Sequence, residues 1–413
     1  MSVASSESII AGPLKLLFVL PNFGRNGAVD FIVDLAGAIA SDDCDVDVVA
    51  LNGPLREGRL PMAPVRTAVA AHGESDTLKN DFIPGSLRRI GRILRQFSAL
   101  IRHGRQVDVI VLTWEKGLAL NLPSLAAFLL RKPTIAILQN NIEQSLNDYT
   151  SNGAFWKNIL RRTYARALAV VCVSYDLTEI AARLGVSQDK IVAIPNAVDV
   201  ERVRSLAKQP PPGELDFESQ PTIVSIGRLS RQKGFDILIP AHAKVVRGGI
   251  RHKLILIGNG PDRQELMDIA RDEGVSESVI FLGYQANPYS VLSSASLCCM
   301  SSRYEGRSLV LAEASLLGVP IIATDCPTGP REVLEDGRYG DLVESESIDA
   351  LALAIDRHFC SPQLLMEKAQ AASIDSRRLS IDRCAERFVD LIRGRLAADP
   401  PSLNCDDLAR QPD

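Results

Sequence analysis

Short runs of Val, Ile and Leu alternate with longer stretches in which apolar residues recur at helical spacing, and the alternation passes along the chain twice. Continuous apolar runs suit strands buried on both faces, as in a parallel sheet, and the intervening segments supply the covering helices. In the first half the pattern predicts strands over Leu14–Leu20, Asp45–Ala50, Val107–Thr113, Thr134–Gln139, Ala169–Val173 and Ile191–Pro195. In the second it predicts Thr222–Ile226, Lys253–Gly258, Val279–Leu282, Ser296–Met300, Ile321–Thr324 and Gly340–Val343. Each half reads as a doubly wound, Rossmann-like α/β domain.

At 413 residues the chain exceeds what one core usually supports, so two domains are expected. The segment Lys208–Pro221 has four prolines and Gly213, cannot continue a helix, and reads as the exposed connection. The predicted boundaries are residues 1–207 for the first domain, 208–221 for the linker, 222–380 for the second domain and 399–413 for a flexible tail.

Composition narrows the class. Hydrophobic residues at 46% and charged residues at 23% exclude a disordered chain. The run Leu14–Leu20 is too short to span a bilayer and lacks a signal-peptide cleavage pattern, so a cytoplasmic start is expected. Gly117–Leu130 is apolar but broken by Asn121, Pro123 and Ser124, and reads as a buried helix. The eight cysteines include no Cys-x-x-Cys pair and the five histidines show no zinc spacing, which points to reduced thiols and no protein metal cage. A net charge of −4 and the absence of a recognisable motif predict no nucleic-acid partner.

One segment is strongly basic. From Ser86 to Arg105 there are six arginines, Arg88, Arg89, Arg92, Arg95, Arg102 and Arg105, and no acid. Ile90, Ile93, Leu94, Phe97, Leu100 and Ile101 recur at helical spacing, so the helix has a cationic and an apolar face. Two readings fit: a solvated face on a core-packed helix, or a helix over residues 86–105 resting on an anionic membrane surface.

The chemistry concentrates in the second half. Ile223-Val-Ser-Ile-Gly227-Arg228-Leu-Ser-Arg-Gln-Lys233-Gly234 is a buried strand ending in glycine, followed by two cations that could converge on a diphosphate. Gly227 and Gly234 are expected to let the backbone turn tightly. Downstream, a strand ending near Met300 leads through Glu305-Gly306 to a helix beginning near Ser308. The first N–H groups of that helix lack intrahelical partners and favour a phosphate. Glu313, later on the helix, could accept from ribose hydroxyls, and Glu305 could do the same for a sugar.

These motifs resemble the retaining family 4 glycosyltransferases of the GT-B fold. The resemblance is carried by Glu305-x7-Glu313, Gly227-Arg228-x4-Lys233-Gly234, Gly258-Asn-Gly260-Pro261, Gly283-Tyr284 and Thr324-Asp325-Cys-Pro-Thr-Gly329-Pro330-x-Glu332, and spans essentially the whole second half. Asn287-Pro288-Tyr289 is similar to bacterial enzymes that build lipopolysaccharide, capsule or lipid-linked oligosaccharide. The first half matches through Pro21-Asn-Phe-Gly24-Arg-Asn-Gly27-Ala28, Val173-Ser174 and Ile194-Pro195-Asn196-Ala-Val-Asp199. Arg307 and Ser308 stand where the family commonly has Phe or Leu and then Pro. Gln139-Asn140-Asn141 occupies the place of a histidine beside the reacting centre, and which of the three replaces it is open.

The resemblance implies that Arg228 and Lys233 neutralise the donor diphosphate, Glu313 holds the ribose, Glu305 grips the donor sugar and Tyr284 lies beside the nucleobase. Gly27 and the backbone of Gly306, Arg307, Ser308 and Leu309 would approach the phosphates, with Gly227 and Gly258 shaping the pocket floor. It implies a UDP-sugar donor, a glycan or lipid-linked acceptor, retention of configuration, no metal or other cofactor, and a helix over 381–398 that crosses back to the first domain. Other readings are a sugar phosphorylase, a GT-B nucleotide-sugar epimerase, or a noncatalytic nucleotide-sugar-binding subunit. Asp45-Val-Asp47 resembles a metal-binding Asp-x-Asp but stands beside Asp42 and Asp43, and reads as a solvated turn. Gly258-x-Gly260 lacks the third glycine of a dinucleotide fingerprint.

Overall fold

The computed structural model describes residues 12–23, 27–53, 64–70, 85–115, 117–149, 153–213, 215–217 and 219–398. The predicted tail and the loop residues Gly24, Arg25 and Asn26 lie outside the described residues. Two parallel sheets are formed. The first contains β1 (Leu14–Asn22), β2 (Cys44–Asn52), β3 (Arg66–Val69), β4 (Val109–Leu112), β5 (Thr134–Leu138), β6 (Ala169–Cys172) and β7 (Ile191–Ala193), in the order β3-β2-β1-β4-β5-β6-β7. The second contains β8 (Thr222–Ile226), β9 (Lys253–Ile257), β10 (Val279–Gly283), β11 (Leu297–Met300), β12 (Ile321–Thr324) and β13 (Asp341–Val343), in the order β10-β9-β8-β11-β12-β13. This is a GT-B architecture of two Rossmann-like lobes.

Each sheet reverses its winding beside its first strand, between β1 and β4 and between β8 and β11. Loops leaving the carboxyl ends there diverge and open a crevice, where such sheets bind ligands. The two crevices face one another, since Gly27, which opens the helix after β1, approaches Leu309, and the loop after β5 meets Gly306 in the loop after β11.

Four features differ from the sequence reading. Strand β3 has no predicted counterpart: Arg66-Thr-Ala-Val69 is a half-exposed edge strand with no apolar run to mark it. Its presence changes Asp47, which is buried within β2 and not part of a solvated turn. Asp47 Oδ1 accepts from Arg66 Nε at 2.6 Å, and Oδ2 lies 3.3 Å from His103 Nδ1. Burial pushes this carboxyl up, but the bonds from His103 and Arg66 outweigh it and hold it below the usual range.

The helix Val200–Ala207, assigned above to the first domain, buries Val203 in the second lobe's core with Val224, Val291 and Leu311. The chain has therefore crossed between lobes by Val198, before the proline-rich segment. Helix Ile381–Ala398 returns and packs Phe388, Ile392 and Leu396 on the first core. Finally, helix Leu118–Leu129 buries Leu120 and Ala126 but exposes Leu125, Phe128 and Leu129, so it is one-sided and not buried.

Far from the crevices, His242 and His252 form a buried chain. His252 Nδ1 lies 3.0 Å from the Ile250 carbonyl, which can only accept, so in the neutral ring Nε2 carries no proton. His242 Nδ1 must then donate to His252 Nε2 across 2.8 Å, leaving His242 Nε2 to accept from the Ser278 hydroxyl, also at 2.8 Å. Burial, and after it the neighbouring His252, disfavour a proton on His242 and push its pKa down to about 3. The unfolded chain takes up that proton below about 6.5. This contribution to stability is complete above pH 6.5 and is lost as pH falls towards 3, costing about 2 kcal/mol at pH 5. The urea midpoint is expected to fall between pH 7.5 and pH 5, and to fall less in His242→Gln.

Candidate active site between the lobes

The turn after β8 sets the floor. The β8–β9 ladder continues past the strands, with Gly227 N donating to the Ile257 carbonyl at 2.9 Å. Gly258, at φ +137°, leaves no room for a side chain because a Cβ would overlap the Gly227 carbonyl oxygen. Gly234 takes the left-handed conformation at φ +64° between the turn Arg231–Lys233 and helix Phe235–Arg247, where a Cβ would overlap the Ser301 carbonyl oxygen. Gly227 serves differently from the expectation of a tight turn: the Lys233 stem lies across it, with Cγ and Cδ 3.2 Å from where a Cβ would sit.

The turn after β11 packs against this floor. Ser301 Oγ donates to the Lys233 carbonyl at 2.9 Å, and Gln232 Nε2 donates to the Tyr304 carbonyl at 3.0 Å. Lys233 and Glu305 meet, Nζ to Oε1 at 2.6 Å, with 20% and 8% of their side chains exposed. Ser302 Oγ donates to the same carboxylate oxygen at 2.7 Å. An ammonium has three N–H donors, so Lys233 keeps two beyond the one given to Glu305.

Ser308 caps helix Leu309–Leu317, its hydroxyl accepting from Leu311 N at 3.4 Å. Glu313 lies partly exposed on this helix and accepts from the Tyr289 hydroxyl at 3.0 Å. Arg228 is exposed on the rim, and Tyr284 is exposed just beyond β10. From the first lobe, helix Gly27–Ile39 begins where a Cβ on Gly27 would lie 3.5 Å from Leu309 Cδ1. Two helix amino ends thus approach the same space, each bringing the positive end of its dipole.

The closest approach is at Gly306, where a Cβ would overlap the Gln139 carbonyl oxygen and stand 3.1 Å from Asn140 Cα. Backbone meets backbone here, so only glycine fits. The side chains at the position of the absent histidine are engaged locally. Gln139 Nε2 donates to the Thr113 carbonyl at 2.5 Å, Asn140 Oδ1 accepts from Asn141 N at 2.9 Å, and Asn141 Oδ1 accepts from Gln144 N at 3.3 Å. Glu115, buried after β4, accepts from Gln139 N at 2.7 Å; sequence reasoning missed it because a single acid after a strand carries no motif.

Arg307, whose backbone is the part expected beside the phosphates, has a side chain with another role. Its side chain is buried and runs to the opposite lobe's Asn196 carbonyl and to Glu332 Oε1, 3.1 Å from Nε. Among the described residues no group of three His, Cys, Asp or Glu side chains is placed to hold a metal ion.

Residues 25–202 match the family described as Glycosyltransferase Family 4, and residues 211–374 match Glycosyl transferases group 1. The chain belongs to glycosyltransferase family 4. This glycosyltransferase is 25% identical over 339 residues to the lipopolysaccharide core biosynthesis glycosyltransferase LpsE of Rhizobium meliloti, covering 81% of this chain and 86% of that one. It is 26% identical over 220 residues, 53% of this chain and 56% of the relative, to a Campylobacter jejuni enzyme named as an N-acetylgalactosamine-N,N'-diacetylbacillosaminyl-diphospho-undecaprenol 4-alpha-N-acetylgalactosaminyltransferase. Among solved structures, Anabaena Alr3699/HepE in complex with UDP-glucose superposes with a TM-score of 0.74 at 20% identity, over 92% of this chain and all of that one. The GT-B fold is shared.

Proposed function

We propose that this glycosyltransferase moves a hexosyl or N-acetylhexosaminyl unit from a UDP-sugar to a glycan or lipid-linked glycan acceptor in surface polysaccharide synthesis, with retention of configuration and without a metal. The observation that carries the reading is the meeting of Lys233 and Glu305 in the turn that leads into helix Leu309–Leu317, whose amino end the helix beginning at Gly27 approaches. A nucleotide sugar needs a cationic, N–H-rich pocket for its diphosphate and a carboxylate beside it for sugar hydroxyls, and this arrangement supplies both. In this reading Arg228 on the rim adds a second cation, Glu313 accepts from the ribose hydroxyls, and Tyr284 offers a ring to the base. The UDP-glucose bound by HepE and the products named for LpsE and the Campylobacter enzyme support the same donor and acceptor classes.

Cleavage builds negative charge on the departing UDP oxygen, and a fixed ammonium with preorganised N–H groups stabilises that charge without solvent reorganisation. A departing phosphate that accepts the acceptor's proton on the same face explains retention without an enzyme nucleophile. Incubation with UDP-sugars and lipid-diphosphate glycans, followed by NMR of the new anomeric proton, tests the reading. An α-linked product from an α-linked donor is expected; a β-linked product contradicts retention. Donor binding without product across a broad acceptor panel would favour the noncatalytic subunit, a reading prompted by the absent histidine at Gln139-Asn140-Asn141.

We also propose peripheral docking on the cytoplasmic face of an anionic membrane. Helix Gly85–Gly104 exposes Ile90 and Leu94 between Arg89, Arg92 and Arg95, and the adjoining helix Leu118–Leu129 exposes Leu125, Phe128 and Leu129. Apolar side chains interspersed with arginine suit an anionic interface. Among the described residues no helix is long and apolar enough to cross a membrane. Co-sedimentation with phosphatidylglycerol vesicles at low salt is expected, and its loss in Leu94→Asp; free protein in the supernatant at low salt would contradict docking.

A further inference from the structure

The two lobes are joined by two chain crossings that run side by side. Val198 N donates to the Leu379 carbonyl at 2.8 Å and Ile381 N to the Val198 carbonyl at 3.0 Å, so the crossings form one short parallel bridge. Asn196 lies two residues before this hinge. The Arg307 guanidinium donates to its carbonyl, and Asn196 Nδ2 donates back to the Arg307 carbonyl at 3.3 Å. The turn that approaches the donor is therefore tied directly to the hinge.

A second tie crosses the cleft at Glu332. Its Oε1 pairs with Arg307 Nε while Oε2 accepts from Tyr175 N, in the first lobe, at 2.7 Å. Beside it, Gly329 N donates to Asp176 Oδ2 at 3.2 Å. Only 6% of the Arg307 side chain and 15% of the Glu332 side chain are exposed. Burial pushes the Glu332 carboxyl up and the Arg307 guanidinium down, so each charge depends on the other and on the carbonyl and N–H groups around it. Separation of the lobes removes the Asn196 carbonyl from Arg307 or the Tyr175 N–H from Glu332. A phenylalanine or leucine, the residue common at this position in the family, can form neither bond of the guanidinium, to the Asn196 carbonyl and to Glu332.

We infer that Arg307 is a positioning residue that latches the lobes closed before the donor arrives. It does so by tying the Glu305–Leu309 turn to the hinge at Asn196 and, through Glu332, to Tyr175. Closure prepaid in this way makes most of the free enzyme competent to bind, whereas an enzyme that rests open loses apparent affinity in proportion to its closed fraction.

The inference rests on the donor-site reading only for its kinetic arm. Small-angle X-ray scattering of the full chain is expected to give the compact radius for the unliganded wild type. A larger radius is expected for Arg307→Leu, contracting on addition of saturating UDP. The KM for the UDP-sugar should rise about tenfold in Arg307→Leu with a smaller change in kcat, because the variant shifts a population and removes no group that touches the donor. Glu332→Ala cuts the same bridge from the other end and should expand the unliganded molecule likewise, which provides a test if the arginine variant fails to fold. If either folded variant keeps the wild-type radius without nucleotide, Arg307 is not a latch. That outcome is read without turnover, so it stands apart from any failure of the proposed reaction.

Discussion

Lys233→Ala is expected to lower kcat/KM for sugar transfer by about two to three orders of magnitude, the loss typical of removing one preorganised donor to a developing oxyanion. The ammonium is held in place: its stem crosses Gly227, its backbone carbonyl accepts from Ser301, and its charge faces Glu305 at 2.6 Å. None of this order has to be created when the leaving group develops charge. Alanine removes the cation and also leaves the buried Glu305 carboxylate without its counter-charge, beside the Ser302 hydroxyl. A second effect follows, a weakened grip on the donor sugar, so KM should rise as kcat falls. Lys233→Arg should recover little, because a planar guanidinium cannot take the ammonium's place beside Glu305 at the end of a stem packed on Gly227. Initial rates with saturating acceptor measure the effect, and a loss below tenfold would remove Lys233 from the diphosphate.

Gly306→Ala should cost about a hundredfold or more in kcat/KM while leaving the melting temperature nearly unchanged. The added methyl would overlap the Gln139 carbonyl oxygen, and since both partners are backbone, no side-chain rotation relieves it. The lobes must separate at their closest point, which displaces the donor turn from Gly27, and a misplacement of about 1 Å is enough for a loss of this size. Stability is spared because each lobe has its own core. Gly234→Ala makes the contrast. There the overlap is with Ser301 inside one lobe, at a left-handed φ, so the melting temperature should fall together with activity. Thermal melts and rates on the two variants separate the roles, and equal melting losses would refute the assignment of Gly306 to closure.

Much of this was legible in the sequence wherever one physical signal dominated. Buried parallel strands are apolar runs, and all twelve predicted ones are present within a residue or two at their ends, because burial on both faces leaves no other reading. Strand β3 was not legible, since an edge strand needs only hydrogen bonds and Arg66 serves a buried Asp47 that local sequence could not pair with it. The domain crossing was misplaced for a related reason. Prolines announce an exposed segment, but the crossing at Val198 is a short β-bridge to Ser380, a partner 182 residues away that local sequence cannot show. In the site, the approach of Lys233 to Glu305 is compatible with their motif roles, whereas Arg307 was read by its neighbours in sequence. Its partners, Asn196 and Glu332, are 111 and 25 residues away, and only the closed lobes bring them to it.

The central claim is that a UDP-sugar binds between the lobes through Lys233 without a metal ion. Calorimetric titration of UDP into the full chain, with EDTA present, tests it most directly. One saturable site that survives the chelator and vanishes in Lys233→Ala is the predicted result. Absence of binding, or binding restored only by a divalent cation, would contradict it.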